Sequence, residues 1–205
     1  MSILSKTSTY ERWRKPISFI FAAVWLSAAI FFRPIGLDAG WYSAMELLGF
    51  LFLIIAALGR LWAYAYIGGR KNAQLCVDGP YALTRNPLYL FSFVGLVGAS
   101  LAVQNIWLSL GSAAFFLAYY APVIRAEERR LAALFGEPFA AYRAAVPRFW
   151  PRFIRISDQG DLTVSARLFN RTLTEVFWFL AAIILIELLE AGKLGGLWPQ
   201  WSVPF

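Results

Sequence analysis

What most limits the fold of this chain is a set of five apolar stretches, at 16–32, 41–67, 88–103, 106–124 and 173–191, joined by short polar connections. A helix of about 20 apolar residues matches the roughly 30 Å hydrocarbon core of a bilayer. Inside that core every backbone N–H and C=O must find a partner within the chain, and an isolated segment achieves this only as a helix. The pattern predicts an all-α, polytopic transmembrane helical bundle of about five spans, forming one membrane domain over 1–205. Composition agrees, because 60% hydrophobic and only 15% charged residues are far from the balance of a soluble domain.

The same composition removes several chemistries. A single cysteine, Cys76, allows no internal disulfide and no multi-cysteine metal site. With no histidine in the chain, histidine-dependent hydrolysis and zinc catalysis are excluded, and no metal is expected. The net charge of +7 does not indicate nucleic acid, because the cations sit beside the apolar runs, where they orient helices and meet anionic lipid. Basic residues crowd 1–15, 68–86 and 125–171. That distribution predicts a multi-pass integral membrane protein with its N-terminus and the connections at 68–87 and 125–172 in the cytoplasm, and with 33–40 as an outer loop.

Along the chain, Glu46 and Arg60 interrupt the second run, and charges at such depth either snorkel or serve function. Gln104-Asn105 is a minimal turn, so the third and fourth runs form an antiparallel pair. Gly95, Gly98, Gly111 and Ser112 permit close helix contact there. The last run has Glu175, Glu187 and Glu190 near its ends, so it either spans or lies in the interface as an amphipathic helix.

Chemistry is expected between the second and third runs, in Asp78-Gly79-Pro80-Tyr81-Ala82-Leu83-Thr84-Arg85-Asn86-Pro87-Leu88-Tyr89. Gly79-Pro80 sets a tight turn, and Pro87 fits the first turn of the next helix. The open N–H groups of that helix start, with Arg85, suit an anion such as a carboxylate or phosphate. A second element, Arg125-Ala126-Glu127-Glu128-Arg129-Arg130-Leu131, continues from the fourth run. Glu128 stands three residues after Arg125, which allows a local ion pair, whereas Glu127 and Glu128 point in different directions and cannot share a partner.

These two elements, followed by Phe135-Gly136, Tyr142 and Val146-Pro147-Arg148, occur in an order and spacing that resembles the isoprenylcysteine carboxyl methyltransferase and phospholipid methyltransferase superfamily. The resemblance implies an S-adenosylmethionine-dependent methyltransferase built of transmembrane helices, with the cofactor held near the cytosolic face by Tyr81, Arg85, Asn86, Pro87, Tyr89, Glu127 and Glu128. Those residue types suit the cofactor's carboxylate, hydroxyls, ammonium and sulfonium. The family usually has histidine where this chain has Asn86, which keeps hydrogen-bonding capacity but cannot titrate.

Methyl transfer from a sulfonium is an in-line displacement that needs alignment and exclusion of water rather than a covalent nucleophile, so a chain without histidine can perform it. Arg125 is the candidate catalytic residue, orienting a carboxylate acceptor; for an amine, Glu127 or Glu128 would accept a proton. The acceptor is expected to be a lipophile that arrives from the membrane where 88–92 and 119–125 approach: an isoprenylcysteine carboxylate, a phospholipid amine or another small lipophile. Two alternatives stay open on sequence alone. Sterol and steroid reductases carry a related loop motif with a nicotinamide cofactor, and a non-catalytic binding protein on the same fold would explain Asn86.

Overall fold

A computed structural model describes residues 9–34, 40–68, 74–152 and 166–203. The expected cation-rich segment at 1–8, most of the loop at 33–40, the Gly69-Arg70-Lys71 turn and residues 153–165 lie outside the described residues.

The chain is helical almost throughout: α1 (Thr9–Phe31), α2 (Gly40–Ile67), the single turn α3 (Pro80–Leu83), α4 (Pro87–Ala102), α5 (Ile106–Phe135), α6 (Glu137–Ala145) and α7 (Ala166–Leu194). Each of the five apolar runs falls within one of these helices except at its edges. By length and composition three helices are able to cross a membrane, at Gly40–Ile67, Ile106–Phe135 and Phe169–Leu194. Two shorter apolar helices, Pro16–Phe31 and Pro87–Ala102, accompany them. At 1.5 Å per residue the 16 residues of α4 cover about 24 Å, less than the full hydrocarbon thickness. The last run, for which two readings were open, lies in a 29-residue continuous helix of spanning length.

Helix boundaries do not follow the edges of the apolar runs. α1 begins at Thr9 and carries Pro16 inside it, and α5 continues through Pro122 and Arg125 to Phe135. Backbone hydrogen bonding has no reason to stop where hydrophobicity stops, so polar turns extend both helices. A two-stranded parallel sheet that the sequence pattern did not predict joins β1 (Phe32–Pro34) to β2 (Trp201–Val203), with Phe32 opposite Trp201. Three-residue strands are too short to show a periodicity.

The bundle is organised around α2, which packs mainly on α4 and next on α7. Small residues make this possible, since a Cβ on Gly49 would run into the backbone of Gly98 and Ala102, and one on Gly95 would meet Phe179 of α7 and Ala56 of α2. Gly111 departs from expectation: a Cβ there meets no atom within 4 Å among the described residues, so it is not a close-packing position. Ala29, Leu53, Ala102, Val103 and Ile186 form the apolar core, and Trp25 Nε1 of α1 donates to Ser100 Oγ (3.0 Å), which bonds Ser112 Oγ of α5 (2.9 Å). The turn between α4 and α5 is as short as expected. Gln104 adopts φ 60°, and the Asn105 side chain caps α5 by accepting from Leu108 N at 2.9 Å.

Candidate active site

The bend at 78–89 is held by local turns and by a neighbour in space. Gly79 has φ 57°, and a Cβ there would collide with the ring of Tyr66 on α2, so both backbone geometry and space require glycine. Tyr81 N donates to Asp78 O (3.1 Å) and Ala82 N to Gly79 O (3.1 Å), closing α3. Pro87 occupies the first turn of α4, and Asn86 stands outside helical geometry at φ −128°, ψ 55°.

The segment from Tyr142 to Arg152 stitches this bend in place. Tyr142 Oη donates to Tyr81 O (2.7 Å), Arg85 N to Pro147 O (2.9 Å) and Arg152 N to Leu83 O (3.0 Å). Arg148 O accepts from both Thr84 Oγ1 (3.2 Å) and Asn86 Nδ2 (2.9 Å). The Asn86 side chain, in the position where the superfamily usually has histidine, therefore ties two motif segments together through its amide. This bond needs a donor and no titration.

The paired glutamates separate as adjacent helical positions must. Glu128, 8% exposed, receives Arg85 Nε on one oxygen and Arg148 Nε on the other, both at 3.0 Å. The local pairing with Arg125 that the spacing allowed does not form; partners 43 and 20 residues away take both oxygens. Arg85 also donates from Nη1 to Arg143 O (2.6 Å). Glu127 turns the other way and accepts from Tyr89 Oη (3.0 Å), whose ring lies 5.4 Å from that of Tyr120.

Between these elements lies a cavity of about 130 Å³, roughly ten times the space one water needs. Tyr81, Arg85, Asn86, Pro87, Tyr89 and Glu127 all line it, as do Tyr142 and the apolar side chains of Ile67, Leu75, Leu131 and Phe135. Two expected residues lie elsewhere. Glu128 stands behind Arg85 in the wall, and Arg125 lines other depressions on the outer side of α5. Residues beyond the expected cofactor-binding set complete the site: Tyr64, Gln74 and Cys76 in the lining, and Tyr142 and Arg148 as clasps. The motif contained Tyr142 and Arg148, whereas lone side chains at 64, 74 and 76 carry no spacing signal.

Tyr81 Oη is buried with no hydrogen-bond partner among the described residues. Burial drives the hydroxyls of Tyr81 and Tyr142 well above the usual tyrosine range, so both remain protonated donors. The cavity thus presents one carboxylate, one guanidinium, several aromatic faces and an apolar back wall. Such a lining suits a small molecule with a cationic centre, hydroxyls and a flat ring.

Comparison with known proteins gives results consistent with this geometry. Residues 43–138 match the phospholipid methyltransferase family, a span that takes in the bend and both glutamates but ends before Tyr142. The chain is 35% identical over 176 residues to the cobalt-zinc-cadmium resistance protein CzcN of Cupriavidus metallidurans, covering 85% of this chain and 78% of that protein. It is 36% identical over 157 residues to the nickel-cobalt-cadmium resistance protein NccN of Alcaligenes xylosoxydans xylosoxydans, covering 76% and 73% respectively. With the protein-S-isoprenylcysteine O-methyltransferase of Schizosaccharomyces pombe it shares 31% identity over 134 residues, 64% of this chain and 51% of that protein. No solved structure matches.

Proposed function

Because this chain belongs to the phospholipid methyltransferase family, we propose that it is a membrane methyltransferase that uses S-adenosylmethionine to methylate a lipid-borne acceptor. The observation that carries this reading is the cavity itself: six motif residues from two distant segments line one space.

The residues present fit the cofactor. When bound, it supplies an electrophilic methyl group carried on a sulfonium. Glu127, held by Tyr89, is placed to accept hydrogen bonds from an ammonium or from ribose hydroxyls. The faces of Tyr81 and Tyr89 suit the sulfonium charge. Arg85, a lining residue whose Nε is on Glu128 and whose Nη1 is on Arg143 O, keeps Nη2 for a carboxylate, while Leu131 and Phe135 exclude water from the back wall. Glu128 serves this site indirectly by fixing Arg85, and Arg125 has no role in the cavity. The acceptor reaches the donor from the hydrocarbon side, past the first turn of α4, where Tyr89 lines the cavity.

Two of the relatives are named for metal resistance. The methyltransferase reading rests on the family match and on the cavity rather than on those names.

Calorimetric titration of purified protein with S-adenosylmethionine and, separately, with reduced nicotinamide dinucleotide phosphate tests the reading. Saturable binding of the first alone is expected. Binding of the nicotinamide alone would replace methyl transfer with a reductase, and binding of neither would leave a non-catalytic member of the family. Transfer of a labelled methyl group into a lipid extract, followed by phase partition, then tests the acceptor class.

A further inference from the structure

On the outer side of α5, away from the cavity, two depressions meet. One, about 160 Å³, is an apolar groove lined chiefly by Phe116, Leu117, Tyr120, Ile124, Phe149 and Trp150. The other, about 230 Å³, is a bowl lined by Arg125, Arg129, Arg143, Arg148, Glu128 and Ala132. Arg125 and Arg148 line both, so groove and bowl are continuous.

Charge decides what such a bowl takes. Glu128 is its one carboxylate, and both of its oxygens are engaged, by Arg85 and Arg148. The remaining three arginines leave the bowl strongly positive. Depth decides the rest. With 30 residues α5 is about 45 Å long, so its end projects beyond a hydrocarbon core of roughly 30 Å. The apolar part of the helix ends at Ile124, immediately before Arg125, which puts the bowl at headgroup level and the groove at the level of the acyl chains. Trp150, 62% exposed at the groove, is the amphipathic aromatic favoured at that boundary.

We propose that groove and bowl together form a binding site for an anionic membrane lipid, with the headgroup phosphate among Arg125, Arg129 and Arg143 and an acyl chain along Phe116, Tyr120 and Phe149. Glu127 faces the cavity and Glu128 the bowl, so this lipid is a second ligand and not the methyl acceptor. The proposal goes beyond the methyltransferase reading and stands or falls separately from it. Its effect on the protein follows from Arg148, which contributes to the bowl and clasps Glu128 behind the cavity.

The test uses purified, delipidated full-length protein offered equal amounts of phosphatidylglycerol and phosphatidylcholine with matched chains, retained lipid being counted by native mass spectrometry. Wild-type protein is expected to retain the anionic lipid with a preference of about tenfold or more, which Arg129→Gln with Arg143→Gln abolishes. Both side chains are exposed, so the fold should tolerate the change, and a single sharp gel-filtration peak checks it. Arg130→Gln removes a charge one residue from the bowl and is expected to keep the preference. Equal retention of the two lipids by wild-type protein overturns the site. So does an unchanged preference in the double variant, or an equal loss in Arg130→Gln, which would mean bulk charge alone. Displacement of the lipid by an equimolar amount of inorganic phosphate would show a site for a soluble anion and overturn the lipid assignment.

Discussion

Tyr142 Oη donates a 2.7 Å hydrogen bond to the main-chain carbonyl of Tyr81, across 61 residues. This one contact joins the short helix α6 to the turn that opens the cavity, and it is buried on both sides. Tyr142→Phe removes the donor and leaves the Tyr81 carbonyl in an apolar place without it, a cost of about 1–3 kcal/mol. The expected result is a lowered thermal midpoint in detergent, together with weaker S-adenosylmethionine binding because the cavity wall loosens. A variant with unchanged stability would show that the bend does not depend on this clasp.

Glu127 and Glu128, neighbours in sequence, are expected to fail differently. Glu128→Ala leaves Arg85 buried at 8% exposure without its carboxylate, and breaking a buried pair in this way costs about 3–5 kcal/mol. Glu127→Ala removes a carboxylate that, among the described residues, is hydrogen-bonded by Tyr89 in the wall of the cavity, so the fold survives and cofactor affinity falls by about ten- to a hundredfold. Thermal unfolding and calorimetry on both variants read the split. Equal destabilisation by the two would erase the distinction between frame and ligand contact.

How much of this was legible beforehand depended on whether spacing or folding-back made the contact. The convergence of Arg85, Asn86, Tyr89 and Glu127 on one cavity was legible only through the family resemblance, because no local spacing ties residues 85–89 to residue 127. The divergence of Glu127 from Glu128 was legible from helical geometry alone. The partners of Glu128 were not. Helical spacing pointed to Arg125, but the actual partners come from a bend and from a segment after α6, and only the tertiary course of 142–152 brings them within 3.0 Å. The same limit hid β1 and β2, whose three-residue strands pair because residues 169 positions apart meet.

Tyr81→Phe gives an expectation of opposite sign in the free and bound protein. The hydroxyl has no partner among the described residues, so its removal should leave the ligand-free protein as stable as before or slightly more so. Binding of S-adenosylmethionine should weaken by a few-fold to about tenfold, the worth of one neutral hydrogen bond. Stability and affinity falling together would mean that the hydroxyl is satisfied within the protein.

The cation distribution predicts an orientation that is testable without any ligand. A cysteine at Ala140, in a Cys76→Ser background, should resist a membrane-impermeant thiol reagent in intact cells and react after permeabilisation. Ala140 is exposed on α6, beside the cavity-forming segments, so protection would come from the membrane and not from burial. Reaction from outside would turn the bundle over and place the cavity on the opposite face.

A last prediction concerns a charge pair within the bundle. Arg60 of α2 is ion-paired with Glu175 of α7, and its Nη1 also donates to Ser92 Oγ (2.6 Å) on α4. Tyr64, one turn further along α2, donates to Glu175 Oε1 (3.3 Å) and lines the cavity. Arg60 stood out in the sequence as an interruption of an apolar run and Glu175 as a charge near the end of another, and together they bind three helices at one level. Removing one partner leaves the other in a medium that solvates it poorly, so Glu175→Leu should cost about 3–5 kcal/mol. Replacing both, Arg60→Met with Glu175→Leu, removes the orphaned charge and should recover most of that loss, because well-packed apolar side chains commonly substitute for a buried pair. Unfolding in detergent, measured for each single variant and for the double, gives the coupling directly. Strict additivity would show that the two charges act independently; a large positive recovery would show that the pair serves the assembly of α2, α4 and α7, with Tyr64 carrying its influence to the cavity.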